Sequence, residues 1–314
     1  MKIGITCGGV GPYASGDFLR RSIQAAERAG FCAYMMPDHI VQFAEYPESV
    51  YPYAAGSGQE LPEQDPDAPL QFGDDTYANQ DPRNPLIDPV AALGWLAAAT
   101  TTIEIGSNIL VLPQRNPVVL AKELATVDSF SYGRILLGVG AGWAKEEFDA
   151  AGVPYGERGK RTDEAIAVMR ALWATEFSSF SGEFTRFKDA CSYPKPARPG
   201  GIPILIGGES KAAMRRVARL GDGWLPYNLP VGDAPAVIAE LKEMTRAAGR
   251  DPDALRICKI VYGNARLDDL KRYRDAGVTE FNMASNGEIP IDDAGMEAQF
   301  ARFREEMVEP VAHL

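Results

Sequence analysis

With 314 residues, 46% of them hydrophobic, the chain can build one sizeable core, and its length suits a single α/β barrel. A net charge of −11 without any basic stripe argues against nucleic acid or an anionic membrane as partner, because both are bound through clustered Lys and Arg. The two histidines, His39 and His313, cannot supply the several imidazole ligands of many metal-dependent barrel hydrolases, so no metal site is expected.

Residues 3–7 read as strand one, reached directly from Met1 and Lys2 with no leader-like apolar segment before it. A helix follows over 17–29, with Leu19, Ile23 and Ala26 on one face. Strand two covers 31–36 and strand three 103–112, followed by a helix marked by Leu120, Leu124 and Val127. Strand four covers 135–139, and a long helix runs through Ile166, Met169 and Trp173. Strand five (202–206), a helix (211–220), strand six (223–227), strand seven (257–262) and strand eight (279–284) complete the series, with Phe300, Phe303 and Met307 on the last helix. Gly30, Gly221 and Gly277 stand just past helix ends, where a left-handed glycine closes a helix. Eight such units predict a closed (β/α)8 TIM barrel forming one domain over 1–314. A doubly wound sheet would need only about five or six strands.

Two stretches break the rhythm. Residues 41–88 are rich in Pro, Tyr, Gly and acid, and leave strand two at its C-terminal end, the active-site face of a barrel. They form either a lid over that face or a surface decoration. Residues 180–201 read as a small hairpin and an irregular crossing with Pro194, Pro196 and Pro199. No apolar run approaches the ~20 residues of a membrane helix. The four cysteines, Cys7, Cys32, Cys191 and Cys258, are scattered, which together with the N-terminus predicts a cytoplasmic protein with reduced thiols.

Asp38-His39 ends strand two. A histidine there can exchange a proton near neutral pH, and Asp38 can bind a cofactor hydroxyl; a purely structural hydrogen bond is the alternative. Strand four ends in Gly138-Val139-Gly140-Ala141-Gly142-Trp143, which lacks the third glycine of a dinucleotide fingerprint. These glycines either let a flat ring approach the backbone or relieve crowding in the barrel mouth. Gly207-Gly208-Glu209-Ser210 precedes a helix, and exposed amides there suit a phosphate group; a glycine turn with a serine cap is the bland alternative. Asn108-Ile109 is a polar interruption of strand three. Arg115, Arg134, Arg158 and Arg161 read as structural ion-pair partners, and Trp143 and Trp224 as residues that floor or fill a pocket.

Several segments together resemble the luciferase-like monooxygenase superfamily, and within it the coenzyme F420-dependent oxidoreductase branch. They are Pro37-Asp38-His39, the run from Gly106 to Pro117, Asp128-Ser129-Phe130-Ser131-x-Gly133-Arg134, Gly138 to Trp143 with Glu146-Glu147-Phe148, Pro203 to Gly208, and Gly221-Asp222-Gly223-Trp224. They lie in family order over most of residues 1–230. The resemblance implies a TIM barrel with an insertion, a homodimer, and F420 or FMN bound in the mouth. It places Asp38 and His39 at the cofactor head, a non-prolyl cis peptide at Asn108–Ile109 behind the ring, and the phosphate at Gly207, Gly208, Glu209 and Ser210. Gly140, Ala141, Gly142 and Trp143 complete the implied cofactor site. The sugar-phosphate dehydrogenases of the superfamily carry a glutamate where this chain has Trp143, so a neutral, conjugated or aromatic small-molecule substrate is expected.

The resulting expectation is hydride transfer between a deazaflavin and an organic substrate, with His39 exchanging the proton. The rival with the same fold is an FMN monooxygenase served by a partner reductase. The longer tail of F420 calls for a partly basic groove, to which Lys211, Arg215 and Arg216 can contribute. A more distant rival is a glycoside hydrolase using two of Glu146, Glu147 and Glu209.

Overall fold

The computed structural model describes residues 1–49, 51, 81–262, 265–284 and 289–314. In chain order the main elements are β1 (Lys2–Thr6), α1 (Gly16–Ala29), β2 (Ala33–Met36), α2 (Pro89–Ala99), β3 (Glu104–Val111), α3 (Pro117–Phe130) and β4 (Ile135–Gly140). Then come α4 (Lys145–Ala150), α5 (Arg158–Ala174), the hairpin β5 (Phe177–Ser181) and β6 (Arg186–Cys191), β7 (Ile204–Gly207), α6 (Lys211–Leu220), β8 (Gly223–Leu225) and α7 (Ala234–Ala247). The chain closes with β9 (Arg256–Tyr262), α8 (Leu267–Ala276), β10 (Glu280–Ala284), α9 (Asp293–Phe303) and the short α10 (Glu309–Ala312).

Eight parallel strands close a barrel in the order β1-β10-β9-β8-β7-β4-β3-β2, with helices outside, as the sequence predicts. Strand alternation splits the core in two. Met35, Leu136, Leu205, Leu225, Cys258 and Ile260 form the inner cluster. Their neighbours Tyr34, Met36, Leu137, Ile204 and Ile206 belong to the larger cluster that also holds helix residues. The N-terminal end of the bore carries a charge network: Arg256 pairs with Glu280 (2.7 Å) and Glu104 (2.9 Å), and Arg198 reaches Glu104 at 3.0 Å. Each of Glu104, Arg256 and Glu280 is the first residue of its strand, so this balanced network marks the N-terminal end, opposite the C-terminal face that carries the site in barrels of this kind.

Helix α2 carries no periodic signal in the sequence because it is apolar all round: Pro89-Val90-Ala91-Ala92-Leu93-Gly94-Trp95-Leu96-Ala97-Ala98-Ala99. Its start is set by Asp88, which accepts from Ala91 N at 2.9 Å, and by Pro89 at the first position. Gly30 and Gly277 are left-handed (φ 89° and 107°) as predicted. Gly221 is not: its φ of −81° and ψ of 148° are extended. Glycine is needed there for close approach, since a Cβ would lie 2.9 Å from the carbonyl oxygen of Gly223. The hairpin expected in 180–201 is present as β5–β6. Residues 50 and 52–80 of the insertion lie outside the described residues, so the lid expectation concerns mainly a segment not described. The insertion's end is anchored by Gly11 N to Pro85 O (2.8 Å) and Ile87 N to Gly9 O (2.8 Å). Among the described residues no helix is long and apolar enough to cross a membrane.

Candidate active site

The open end of the barrel is built around an interruption of β3. Its register against β4 shifts between Ser107 and Leu110, and the Asn108–Ile109 bond is cis, as the resemblance implied. Asn108 and Ile109 are partly exposed in a stretch of buried strand. Asn108 donates through Nδ2 to Thr6 Oγ1 (3.0 Å), which also accepts from Asn282 Nδ2 (2.5 Å). Thr6 and Asn282 belong to no motif in the sequence, and only barrel closure brings them to Asn108.

The Ile109 side chain lies across the tops of β4 and β7. A Cβ on Gly140 would come within 1.9 Å of Ile109 Cδ1, and one on Gly207 within 3.0 Å of Ile109 Cγ2. Gly142 is left-handed (φ 80°) and a Cβ there would meet Val111 Cγ1 at 2.6 Å. The glycines after β4 therefore make room for the protein's own side chains, and Ile109, Ala141 and Trp143 present the partly exposed surface.

His39 and Asp38 leave β2 in different directions. Asp38 is buried; its Oδ1 accepts from Arg115 Nη2 and its Oδ2 from Val111 N, both at 2.8 Å. Burial raises its pKa, with the Arg115 guanidinium opposing the shift. Arg115 also binds Asp88 (2.8 Å), so one guanidinium ties both ends of the insertion to β3. His39 instead places Nδ1 in hydrogen-bond contact with Glu147 Oε1, while Glu147 Oε2 accepts from Gln114 Nε2 at 3.2 Å. Glu147 belongs to the quoted motif, but its pairing with a residue 108 positions away cannot be read from a string.

Trp143 stands edge-on to His39 with ring centroids 6.0 Å apart, and 5.2 Å from both Tyr46 and Tyr51. The start of the insertion is thus part of the mouth wall. It is latched to α4: Ser49 Oγ donates to Glu146 Oε2 and accepts from Lys145 N, both at 2.6 Å, and Lys145 Nζ pairs with Glu48 at 2.9 Å. Glu146, Glu147 and Glu209, the carboxylates of the glycoside-hydrolase alternative, each accept hydrogen bonds from protein groups.

At the start of α6, Ser210 Oγ accepts from Ala213 N (3.1 Å) and Gly208 is left-handed (φ 95°). The first-turn amides of Lys211 and Ala212 face outward from the helix end. Trp224 is fully buried and donates to Gly208 O (2.8 Å), so it fixes this turn rather than flooring an open pocket. Glu209 accepts from the amides of Tyr227 (2.5 Å) and Asn228 (2.8 Å) and stabilises the loop after β8. Arg216 is buried against Asp163 and Gly159 O, hence no groove residue, and Lys211 pairs with Glu240. Arg215 is exposed on α6. Arg134 donates to five backbone and hydroxyl oxygens, Arg158 to Tyr155 O, and Arg161 pairs with Glu157, all structural as expected.

Beneath that loop, Lys259 Nζ donates to Tyr227 O (2.5 Å) and sits 5.8 Å from the centre of the Tyr273 ring on α8. Burial lowers its pKa to about 8, with Glu209 opposing. An unfolded lysine keeps its proton to about 10.4. The unfolded chain therefore binds more protons between the two values, and stability rises with pH through that window. Below pH 8 the full cost of about 3 kcal/mol is present. Lys259→Met should lose this rise and be the more stable protein at pH 7, as denaturant titrations at pH 7 and pH 10 would show.

A parallel barrel with its open face lined by polar and aromatic groups is the architecture of a (β/α)8 enzyme. The model of the luciferase-like monooxygenase family matches residues 73–278, and the chain belongs to this family. An uncharacterised protein of Mycobacterium tuberculosis is 33% identical over 257 residues, covering 82% of this chain and 81% of its own. The FMNH2-dependent dimethylsulfone monooxygenase of Pseudomonas putida is 30% identical over 236 residues, 74% of this chain and 54% of its own. Among solved structures, an F420-dependent secondary alcohol dehydrogenase in complex with an F420-acetone adduct superimposes with a TM-score of 0.72 at 19% identity, over 99% of this chain and 98% of its own. The family is one of luciferase-like monooxygenases, and the dimethylsulfone monooxygenase and the alcohol dehydrogenase are both oxidoreductases, so the protein is an enzyme of the luciferase-like oxidoreductase type.

Proposed function

We propose that the protein transfers hydride between coenzyme F420 and a small, neutral carbonyl or alcohol substrate, with His39 exchanging the accompanying proton. The observation that carries this reading is the His39–Glu147 pair at the mouth, an imidazole backed by a buried carboxylate beside an aromatic wall. An FMN-dependent monooxygenase is the second reading, favoured by the similarity to the dimethylsulfone enzyme.

The residues present fit a flavin-like carrier with a phosphate tail. Ile109, Ala141 and Trp143 offer a partly exposed apolar face for a ring. Gly207, Gly208 and Ser210 with the first amides of α6 offer donors for an anion, and Arg215 offers charge for an acidic tail. When bound, such a carrier supplies or accepts the hydride. The chain's own part is to orient the substrate against Trp143, Tyr46 and Tyr51 and to move a proton at His39. Each oxygen of Asp38 accepts one hydrogen bond within the protein, so Asp38 holds β2 against the segment after β3.

This wall suits an unsaturated, uncharged substrate and leaves a sugar phosphate's charge without a matching partner. Reduced F420 should be oxidised by 2-cyclohexen-1-one. With glucose 6-phosphate as donor, kcat/KM should be lower by on the order of 10³-fold. Turnover of the sugar phosphate at an ordinary enzymatic rate would sink the substrate assignment.

A further inference from the structure

We infer that Glu147 is the positioning residue of His39: it holds the imidazole as the Nδ1–H tautomer and assigns proton exchange to Nε2. The inference rests on the reading of His39 as the proton-transfer group and adds the device that prepares it.

Glu147 is 1% exposed and His39 10%, so their contact is shielded from water. One oxygen of Glu147 meets His39 Nδ1 and the other accepts from the Gln114 amide at 3.2 Å. An ionised carboxylate only accepts hydrogen bonds, and the Gln114 amide already donates to it. The contact with Nδ1 is therefore satisfied only when Nδ1 carries a proton. In that tautomer the neutral ring has its lone pair on Nε2.

The carboxylate is itself held in place. Its helix, α4, is pinned at the start by Ser49 and Glu48 of the insertion, and the Glu147 amide donates to Ala144 O at 3.2 Å. Trp143, edge-on at 6.0 Å, bounds the ring on another side. In the reducing direction a bound deazaflavin would supply the hydride to the carbonyl carbon, and His39 would give the carbonyl oxygen the proton from Nε2. The imidazole would then be left neutral in its Nδ1–H form, with the carbonyl converted to the alcohol and the carrier oxidised. While the ring is cationic, its charge faces the Glu147 carboxylate.

The chain has only two histidines, so long-range proton–nitrogen spectra of the ¹⁵N-labelled full-length protein contain two imidazoles, and His313→Gln identifies the exposed one. At a pH where the ring is neutral, His39 should show protonated Nδ1 and bare Nε2. Glu147→Gln has nearly the same shape, but its amide offers either a donor or an acceptor to Nδ1, so both tautomers should appear. Turnover of 2-cyclohexen-1-one with reduced F420 should fall about 10²-fold, with the Kd for F420 changed less than twofold. A protonated Nε2 in the wild-type ring overturns the assignment even if the variant does not accumulate. An unchanged tautomer with unchanged turnover in Glu147→Gln overturns it as well. Full turnover in His39→Ala instead overturns the proton-transfer reading itself, whatever the tautomer.

Discussion

Replacing His39 with alanine should lower turnover by about 10²- to 10³-fold while leaving the Kd for F420 within twofold of wild type. The asymmetry follows from where the ring sits. It borders the mouth through Trp143 and Glu147. It is not among the glycine-rich and apolar groups that fit a ring and phosphate. Neither of the two other candidates among the described residues, His313 and Lys259, is placed to take over its task. His313 is exposed near the C-terminus. Lys259 is buried between β9 and α8 over Tyr273. Anaerobic steady-state assays with reduced F420 and 2-cyclohexen-1-one, paired with a fluorescence titration of F420, separate the two effects. Turnover equal to wild type would remove His39 from the mechanism.

Gly106→Ala should have the largest effect on stability, above about 3 kcal/mol. Gly106 pairs with Leu136 across β3 and β4, and an added Cβ would lie 1.9 Å from the Leu136 carbonyl oxygen. That neighbour is backbone inside a closed barrel. It cannot move aside as a side-chain tip would. The displacement would propagate into the Ser107–Leu110 shift that presents Asn108 and Ile109 to the mouth. Gly94→Ala on α2 is the matched control. A Cβ there meets nothing within 4 Å, so helix propensity alone should raise stability by up to about 1 kcal/mol. Denaturant unfolding of both variants checks the pair. A Gly106→Ala protein as stable as wild type would mean that the β3–β4 approach is looser than described.

Gly106 also shows where sequence reading stops. Periodicity placed all eight barrel strands, because each apolar run is buried on both faces and bounded by helix caps and turns. It passed over α2, whose uniform apolarity carries no helical period. It assigned Gly221 a left-handed turn when the reason for glycine there is the nearby Gly223 carbonyl. The motif residues were legible as a set, and the cis bond at Asn108–Ile109 followed from the family resemblance. Their division of labour was not. Asp38 and His39 are adjacent in sequence, yet one turns inward to Arg115 and the other outward to Glu147. Gly140 at the end of β4 is explained by Ile109, and Gly142 just after it by Val111, both on the neighbouring strand. Tyr46, Tyr51 and Ser49 lie in a stretch with no periodic signal, and only folding brings them to Trp143 and α4. Contacts made across many residues of chain decide each of these, and local pattern holds no record of them.

The central claim is that the mouth of this barrel uses a deazaflavin. The most direct measurement is a paired titration of the purified protein with F420 and with FMN, each followed by ring fluorescence. Saturable binding of F420 at least tenfold tighter than FMN is the expected result, and it would agree with donors for an anion at α6 and an exposed Arg215. Tighter binding of FMN would contradict the claim and make the protein a monooxygenase dependent on a separate reductase.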